Sequence, residues 1–380
     1  MTMRLAPSTQ RALRFGLAVL AVVTILVSFR LHYLWTYPTG VDLEIPLRAA
    51  ERWASGGQAY LASAFTAPPG PTQPFLYPPW VLPVLAPLVS LPRDALELAW
   101  CGVCLGAALW ALRRLALPVL WWPAVLLWPP FVEPIIGGNV QIVLFAAFVA
   151  VFYRPDRVGD HHGTNGNRDA PDDAAAGNPA LTGPRPRDIR RDTEPHIWLG
   201  LLAAWIGALK VSQPFAWLFV ARHRPVAALA GALPLLAIVA ATFVVTGPEP
   251  WQSWVAQLQR ASDPVWDLGG FAVARASPAV LGVVVSIIAV ALLWFVPSRD
   301  AGPWVGLLTV IGTPSLQIFG LLFLVPALLV IRREFALIAV MAIAATSYTG
   351  MWAGILIVAV TLTGGLRWPG LWERPARSTA

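Results

Sequence analysis

The sequence predicts an all-α integral membrane protein, a polytopic helical bundle of about 11–13 transmembrane or re-entrant helices with a large extracytoplasmic first loop. Three observations lead there. Of the 380 residues 57% are hydrophobic and only 12% charged, and the mean hydropathy is +0.63, outside the balance of a water-soluble domain. Apolar stretches long enough to cross a hydrocarbon core recur from Leu13 to Leu366. Those stretches lack two-residue alternation, so their backbone groups must be satisfied within helices.

The first span runs from Leu13 to Phe29 behind Arg4, Arg11 and Arg14. It resembles a signal peptide, but no small-residue cleavage site follows and further spans come after it, so it reads as a retained anchor. The net charge of +7 does not form a stripe with aromatics between, as a nucleic-acid surface would, and no nucleic acid partner is expected. Cys101 and Cys104 have C-x-x-C spacing inside an apolar helix with no nearby histidine, which fits packing better than redox or metal chemistry. Short loops near span ends obey the positive-inside rule. With the N-terminus inside, Arg113 and Arg114, Arg154 and Arg157, Arg222 and Arg224, Arg299, Arg332 and Arg333, and the Arg367 to Arg377 tail all fall inside. This requires the proline-broken stretch from Tyr77 to Leu91 to dip into the membrane or lie along it without crossing.

The outer side then collects residues 30–93, the Gly137 to Gln141 turn, the neighbourhood of Lys210, the Thr246 to Arg275 loop, the Thr313 to Gln317 turn, and Ser347 with Tyr348. Nearly all the unusual polar residues lie on this one side. The segments His196 to Leu209 and Val211 to Val220 are too short for a regular span and predict broken or paired short helices around a cavity. From Arg154 to Glu194 the chain turns to Asp, Arg, Pro, Gly and Asn, a composition that predicts disorder. His161 and His162 within it read as part of a solvated tail. The organisation is therefore an N-terminal membrane module, 1–153, with its extracytoplasmic loop at 30–93, a cytoplasmic linker, 154–195, and a C-terminal membrane module, 196–380.

The stretch from Gly40 to Trp53 is the most informative one. On a helix Arg48 and Arg52 share a face, and Glu44 and Glu51 lie about two turns apart, the pattern of an interfacial helix with ordinary ion pairs. Asp42 fits that reading less easily. It sits at the mouth of the first span, where a carboxylate is costly unless paired or used, and a general base needs such a placement. Lys210, between two apolar half-helices, must either snorkel or pair with an anion, for which a lipid phosphate is suitable.

Several elements in register resemble one family. They are Asp42 after the first span, then Ala49-Ala50 with Gly56 and Tyr60, then Phe75-Leu76-Tyr77-Pro78-Pro79 followed by Pro87-Leu88 and Leu91-Pro92. Together they are similar to the polyprenol-phosphate-mannose-dependent mannosyltransferases of glycosyltransferase family 87, in the GT-C superfamily of membrane glycosyltransferases. Gly138-Asn139-Val140-Gln141 stands where that family has a G-Q-x-N element, and the stretch Ala208-Leu209-Lys210 to Pro214 resembles its A-L-K-x-x-P element. There are departures. Gln317 stands after a Thr-Pro-Ser turn where the family often carries an aromatic and a histidine, and an N-Q-S element is missing before Arg275. Asp263, Trp266, Asp267 and Arg275 are candidate sugar or phosphate contacts.

The resemblance implies a GT-C-type bundle in the cell membrane with its active site on the extracytoplasmic side. It implies inverting transfer of a sugar, most simply mannose, from a polyprenyl-phosphate donor to a hydroxyl of a glycolipid or glycan acceptor, among membrane lipids. Asp42 would be the base. Glu44, Arg48, Tyr60, Tyr77, Asn139, Gln141, Lys210, Arg275 and Gln317 are the candidate substrate- and donor-binding residues, with Lys210 and Arg275 stabilising the departing phosphate. Neither a metal nor a cofactor is expected, since the sequence has no D-x-D nucleotide-sugar element and no His/Cys ligand set. Two rivals stand beside this reading: a transporter or flippase of a lipid-linked or small substrate, and a non-catalytic relative.

Overall fold

The computed structural model describes residues 7–34, 39–66, 72–153, 197–210, 213–261, 272, 279–298 and 301–364. The expected linker with His161 and His162, Arg299, the C-terminal arginine tail, and Asp263, Trp266, Asp267 and Arg275 lie outside the described residues. Within them the protein is helical, with no β-strand.

The long first span is α1, Pro7–His32. A short helix, α2, follows at Val41–Ala54. Beyond an irregular loop come a five-residue helix, α3, Val81–Leu85, and a 3-10 turn, Ala86–Ser90. Together they are too short to cross, which agrees with the non-crossing stretch that the prolines predict. A second long span, α4, Arg93–Arg114, leads through α5, Trp122–Leu127, into α6, Pro129–Gly137. The approach to α6 bends by 68° where Pro129 and Pro130 interrupt the run. The N-terminal module closes with α7, Gln141–Phe152.

The C-terminal part begins with two short helices, α8, Ile197–Leu209, and α9, Phe215–His223, as the short apolar segments predict. A third long span, α10, Pro225–Thr246, and an amphipathic helix, α11, Glu249–Ala261, come next. The remainder comprises α12, Ala279–Leu292, α13, Ala301–Gly312, a 3-10 segment at Ile318–Leu324, α14, Val325–Val330, α15, Arg333–Ala344, and α16, Tyr348–Gly364. Among the described residues α1, α4 and α10 are long and apolar enough to cross a membrane singly, and the bent α5–α6 pair adds a fourth candidate. The rest of the apolar helices are shorter and pack as pieces around a core rich in phenylalanine, including Phe131, Phe145, Phe148, Phe152, Phe219 and Phe323.

Two sets of bonds fix the direction of these helices. At one end Arg114 Nε donates to the Tyr153 carbonyl at 2.9 Å, and Arg222 Nη1 to the Leu293 carbonyl at 2.8 Å. Arg14 of α1 pairs with Glu334 of α15 at 2.7 Å, while His32 Nε2 at the far end of α1 and Thr346 Oγ1 just past the far end of α15 are 2.8 Å apart. So α1 and α15 run parallel. At the other end Trp100 Nε1 donates to the Gly138 carbonyl at 2.7 Å, Trp254 Nε1 to Leu76 O at 3.0 Å, and Gln257 Nε2 to Leu61 O at 3.0 Å. The segments that charge counting puts on a common side are thus in contact with one another.

The tightest helix pair is α8 with α10, which cross through small residues. Gly200 meets the Ala227 and Gly231 backbones, and the small-xxx-small spacing occurs on both partners, as Gly200 with Ala204 and Ala227 with Gly231. A Cβ on Gly200 would run into the Ala227 carbonyl oxygen, and one on Gly231 into the Gly200 backbone. Gly231→Ala is therefore expected to cost about 1–3 kcal/mol by overpacking, measured as a lower thermal midpoint in detergent. Gly106→Ala, where an added Cβ meets nothing within 4 Å, should not lower it.

Candidate active site

The site begins at the junction of α2 and α6. The Gly40 amide donates to the Ile136 carbonyl at 2.9 Å and starts α2 on the end of α6. Asp42 follows in the first turn of α2, half-buried, where the helix dipole favours a carboxylate. Its partner comes from the turn after α6. Gly138 ends that helix at a φ of 72°, a conformation costly for side-chain-bearing residues, and a Cβ there would lie 3.1 Å from Trp100 Cδ1. The turn delivers Asn139, which is 3% exposed, and its Nδ2 donates to Asp42 Oδ2 at 3.0 Å.

From Asn139 a line of amides runs into the core. Asn139 Oδ1 accepts the Gln141 backbone N–H at 2.9 Å. Gln141, fully buried, donates through Nε2 to Gln213 Oε1 at 3.0 Å. The Gln213 amide then donates to the Lys210 carbonyl at 2.8 Å. An unbroken set of bonds thus ties the Asp42 carboxylate to the break between α8 and α9. Lys210 occupies that break, with its Nζ 4.3 Å from the centroid of the Phe319 ring. The carboxylates whose charges act on its ammonium are those of Asp42 and Glu133. An acid, an amide donor and an ammonium are thereby brought into one region of the protein, an arrangement able to take a proton from a hydroxyl and hold an anion beside it.

The loop after α2 forms one wall. Tyr60 is buried, and its Oη donates to the Tyr77 carbonyl at 2.8 Å, with its ring against Phe75 at 5.1 Å between centroids. Burial, and then the Asp42 charge and Cys104, push the Tyr77 hydroxyl well above its ordinary pKa, so it stays protonated and able to donate. Gln317 stands just before the 3-10 segment that carries Phe319, two positions from the ring that meets Lys210.

Glu44 and Arg48 of the expected set stand elsewhere. Glu44 is two positions beyond Asp42, about 200° around the helix axis, and with Arg48 it lines a separate cleft on the opposite face of α2. Arg275 lies outside the described residues. The structure also brings in two groups that sequence reasoning passed over, Gln213 and Glu133. Gln213 lies within the Lys210 to Pro214 stretch, one residue before the proline, and Glu133 is the only acid in the apolar run from Leu115 to Val151. The isolation of that acid was the available signal.

The model of glycosyltransferase family 87 matches residues 75–281, more than half of the chain. The match includes Tyr77, Glu133, Asn139, Gln141, Lys210 and Gln213, while Asp42 and Tyr60 precede it and Gln317 follows it. No curated protein and no solved structure matches the chain.

The buried amide pair gives a signed prediction. Gln141→Met leaves Gln213 Oε1 without its donor, and Gln213→Met leaves Gln141 Nε2 without its acceptor, each at a cost of about 1–3 kcal/mol. The double replacement removes both orphaned groups, so its loss of thermal stability in detergent is expected to be smaller than the sum of the two single losses.

Proposed function

Because the chain belongs to glycosyltransferase family 87, we propose that this membrane glycosyltransferase moves mannose from a polyprenyl-phosphate donor to a hydroxyl of a glycolipid or glycan at the extracytoplasmic face of the cell membrane, with inversion. The observation that carries the reading is the pairing of Asp42 with Asn139 on the side that also holds Lys210. The positive-inside count supports the extracytoplasmic assignment, since this side lies opposite the arginine-bearing loops.

In this mechanism the acceptor hydroxyl attacks the anomeric carbon while the bond to the lipid phosphate breaks on the opposite face, through an oxocarbenium-like centre. Asp42 takes the hydroxyl proton. Asn139 holds one carboxylate oxygen, which keeps the other aimed at the acceptor. The bond electrons leave with the phosphate, whose growing charge Lys210 balances. Tyr77, protonated and half-buried, is a donor to a sugar or phosphate oxygen. Gln317, two positions before Phe319, is a hydrogen-bonding residue that does not titrate, so the only proton acceptor required is the carboxylate.

The test is transfer of radiolabelled sugar from polyprenyl-phosphate-mannose to lipids, in membranes matched for expression. Asp42→Asn is expected to lower transfer by about 10²–10⁴-fold, and Lys210→Met by about 10²–10³-fold. Equal transfer by wild type and Asp42→Asn would remove Asp42 from the role of base.

A further inference from the structure

Tyr77 belongs to a stretch with little regular structure, since between α2 and α3 the described residues form only a 3-10 turn, Ala62–Thr66. A side chain leaves the backbone in a direction set by the two planar peptide units that flank its Cα. Both units around Tyr77 are held by side chains. On one side the Leu76 carbonyl accepts the Trp254 Nε1–H at 3.0 Å, and on the other the Tyr77 carbonyl accepts the Tyr60 hydroxyl at 2.8 Å. Pro78 follows and locks the next φ. The Tyr60 segment is fastened in turn, because Gln257 Nε2 donates to the Leu61 carbonyl at 3.0 Å, one residue beyond Tyr60. Trp254 and Gln257 are three positions apart on α11 and so share a face. One helix therefore grips the residue next to each tyrosine of the wall, from 178 and 196 positions away in the chain.

Packing of α11 on the wall does not require these donors. The rings of Trp251 and Trp254 already rest on the cluster of Tyr60, Phe75 and Trp80. The Leu61 carbonyl has a second donor, the Ala64 amide at 3.2 Å. Gln257 is 1% exposed, and its Oε1 is enclosed without a donor, a burial that an apolar side chain of similar size would avoid. What the amide adds is direction. The charge of Asp42 acts on the Tyr77 hydroxyl, so the direction of that side chain matters at the base. We propose that Trp254 and Gln257 are positioning residues for sugar transfer, holding Tyr77 so that its hydroxyl meets the sugar or phosphate oxygen beside Asp42. The inference rests on the sugar-transfer reading, and it gives α11 a part in the reaction through Tyr77 rather than by contact with the reacting groups.

The experiment compares steady-state sugar transfer by the full chain in membranes matched for expression. Trp254→Phe keeps an aromatic ring and loses the Nε1–H, while Gln257→Met keeps the volume and loses Nε2, with the Ala64 amide still on Leu61 O. Each is expected to lower kcat/KM by about three- to tenfold, the worth of one hydrogen bond, as Tyr77→Phe does. Placed in a Tyr77→Phe background, each is expected to change transfer by less than about twofold, because the group they position is gone. Equal fractional losses in both backgrounds, which a merely structural defect gives, would overturn the proposal, as would wild-type transfer by Tyr77→Phe or by either α11 variant. A second readout needs no activity. In fluorine NMR of the full chain in detergent, labelled with 3-fluorotyrosine at its six tyrosines, the Tyr77 signal is the one missing from Tyr77→Phe. Gln257→Met, which alters no ring, is expected to shift that signal, and Val255→Ala, on the exposed side of α11, to leave it in place. A Tyr77 signal unmoved by Gln257→Met would overturn the placement. A shifted signal without transfer by wild type would support the hold on Tyr77 and count against the donor reading.

Discussion

A carboxylate half-buried among apolar helices must be given partners, and the site is arranged around that requirement. Asp42 is accommodated by Asn139, which can reach it only because α6 ends at Gly138 in a left-handed turn sealed by Trp100. That turn in turn depends on the bend between α5 and α6, where Pro129 and Pro130 stop one helix and start another. Irregular backbone at such a depth is tolerated where it lines a cavity or is covered by protein. Here it is covered, and its freed polar groups are used by Gly40, Trp100 and Asn139.

The same constraint explains the short helices. A lysine at the tip between α8 and α9 has no place in a continuous span, but at a break the backbone can turn and the ammonium can find a π-face and a carboxylate charge. The break would be loose without Gln213. Its side chain meets Gln141 and its amide meets Lys210, so the tip is held to the start of α7. The small-residue crossing of α8 on α10 then holds the pair from the other side.

Much of the fold was legible because lipid imposes strong rules on sequence. Hydropathy gave the helices, prolines the non-crossing stretch at Tyr77 to Leu91, and arginines a division into two sides whose members are in contact in the structure. The site was legible where a polar residue broke an apolar run, as with Asp42, Asn139, Gln141 and Lys210. Gln213 was not, because a glutamine beside a proline is ordinary in any turn, and only its partner 72 positions away gives it a role. Glu133 was visible as an isolated acid but had no motif to attract notice. Glu44 and Arg48 were grouped with Asp42 through adjacency in sequence, which on a helix is a poor guide. Two residues apart means opposite faces.

That last separation bears on how one short helix serves two environments. The face of α2 holding Ala49 and Ala50 packs on the loop wall of Tyr60, Phe75 and Trp80, so it cannot rotate without opening that cluster. The opposite face is left to Glu44, Arg48, Glu51 and Arg52, whose charges require water or each other. Because both faces belong to the same rigid 14-residue element, a displacement of its charged side is passed directly to Asp42. Arg93 extends this coupling, since it grips α2 through Glu51 while beginning the span that carries Trp100 and Cys104 to the Gly138–Asn139 turn. Asp42 is therefore braced from both sides, through Asn139 on its own face and through Arg93 on the other.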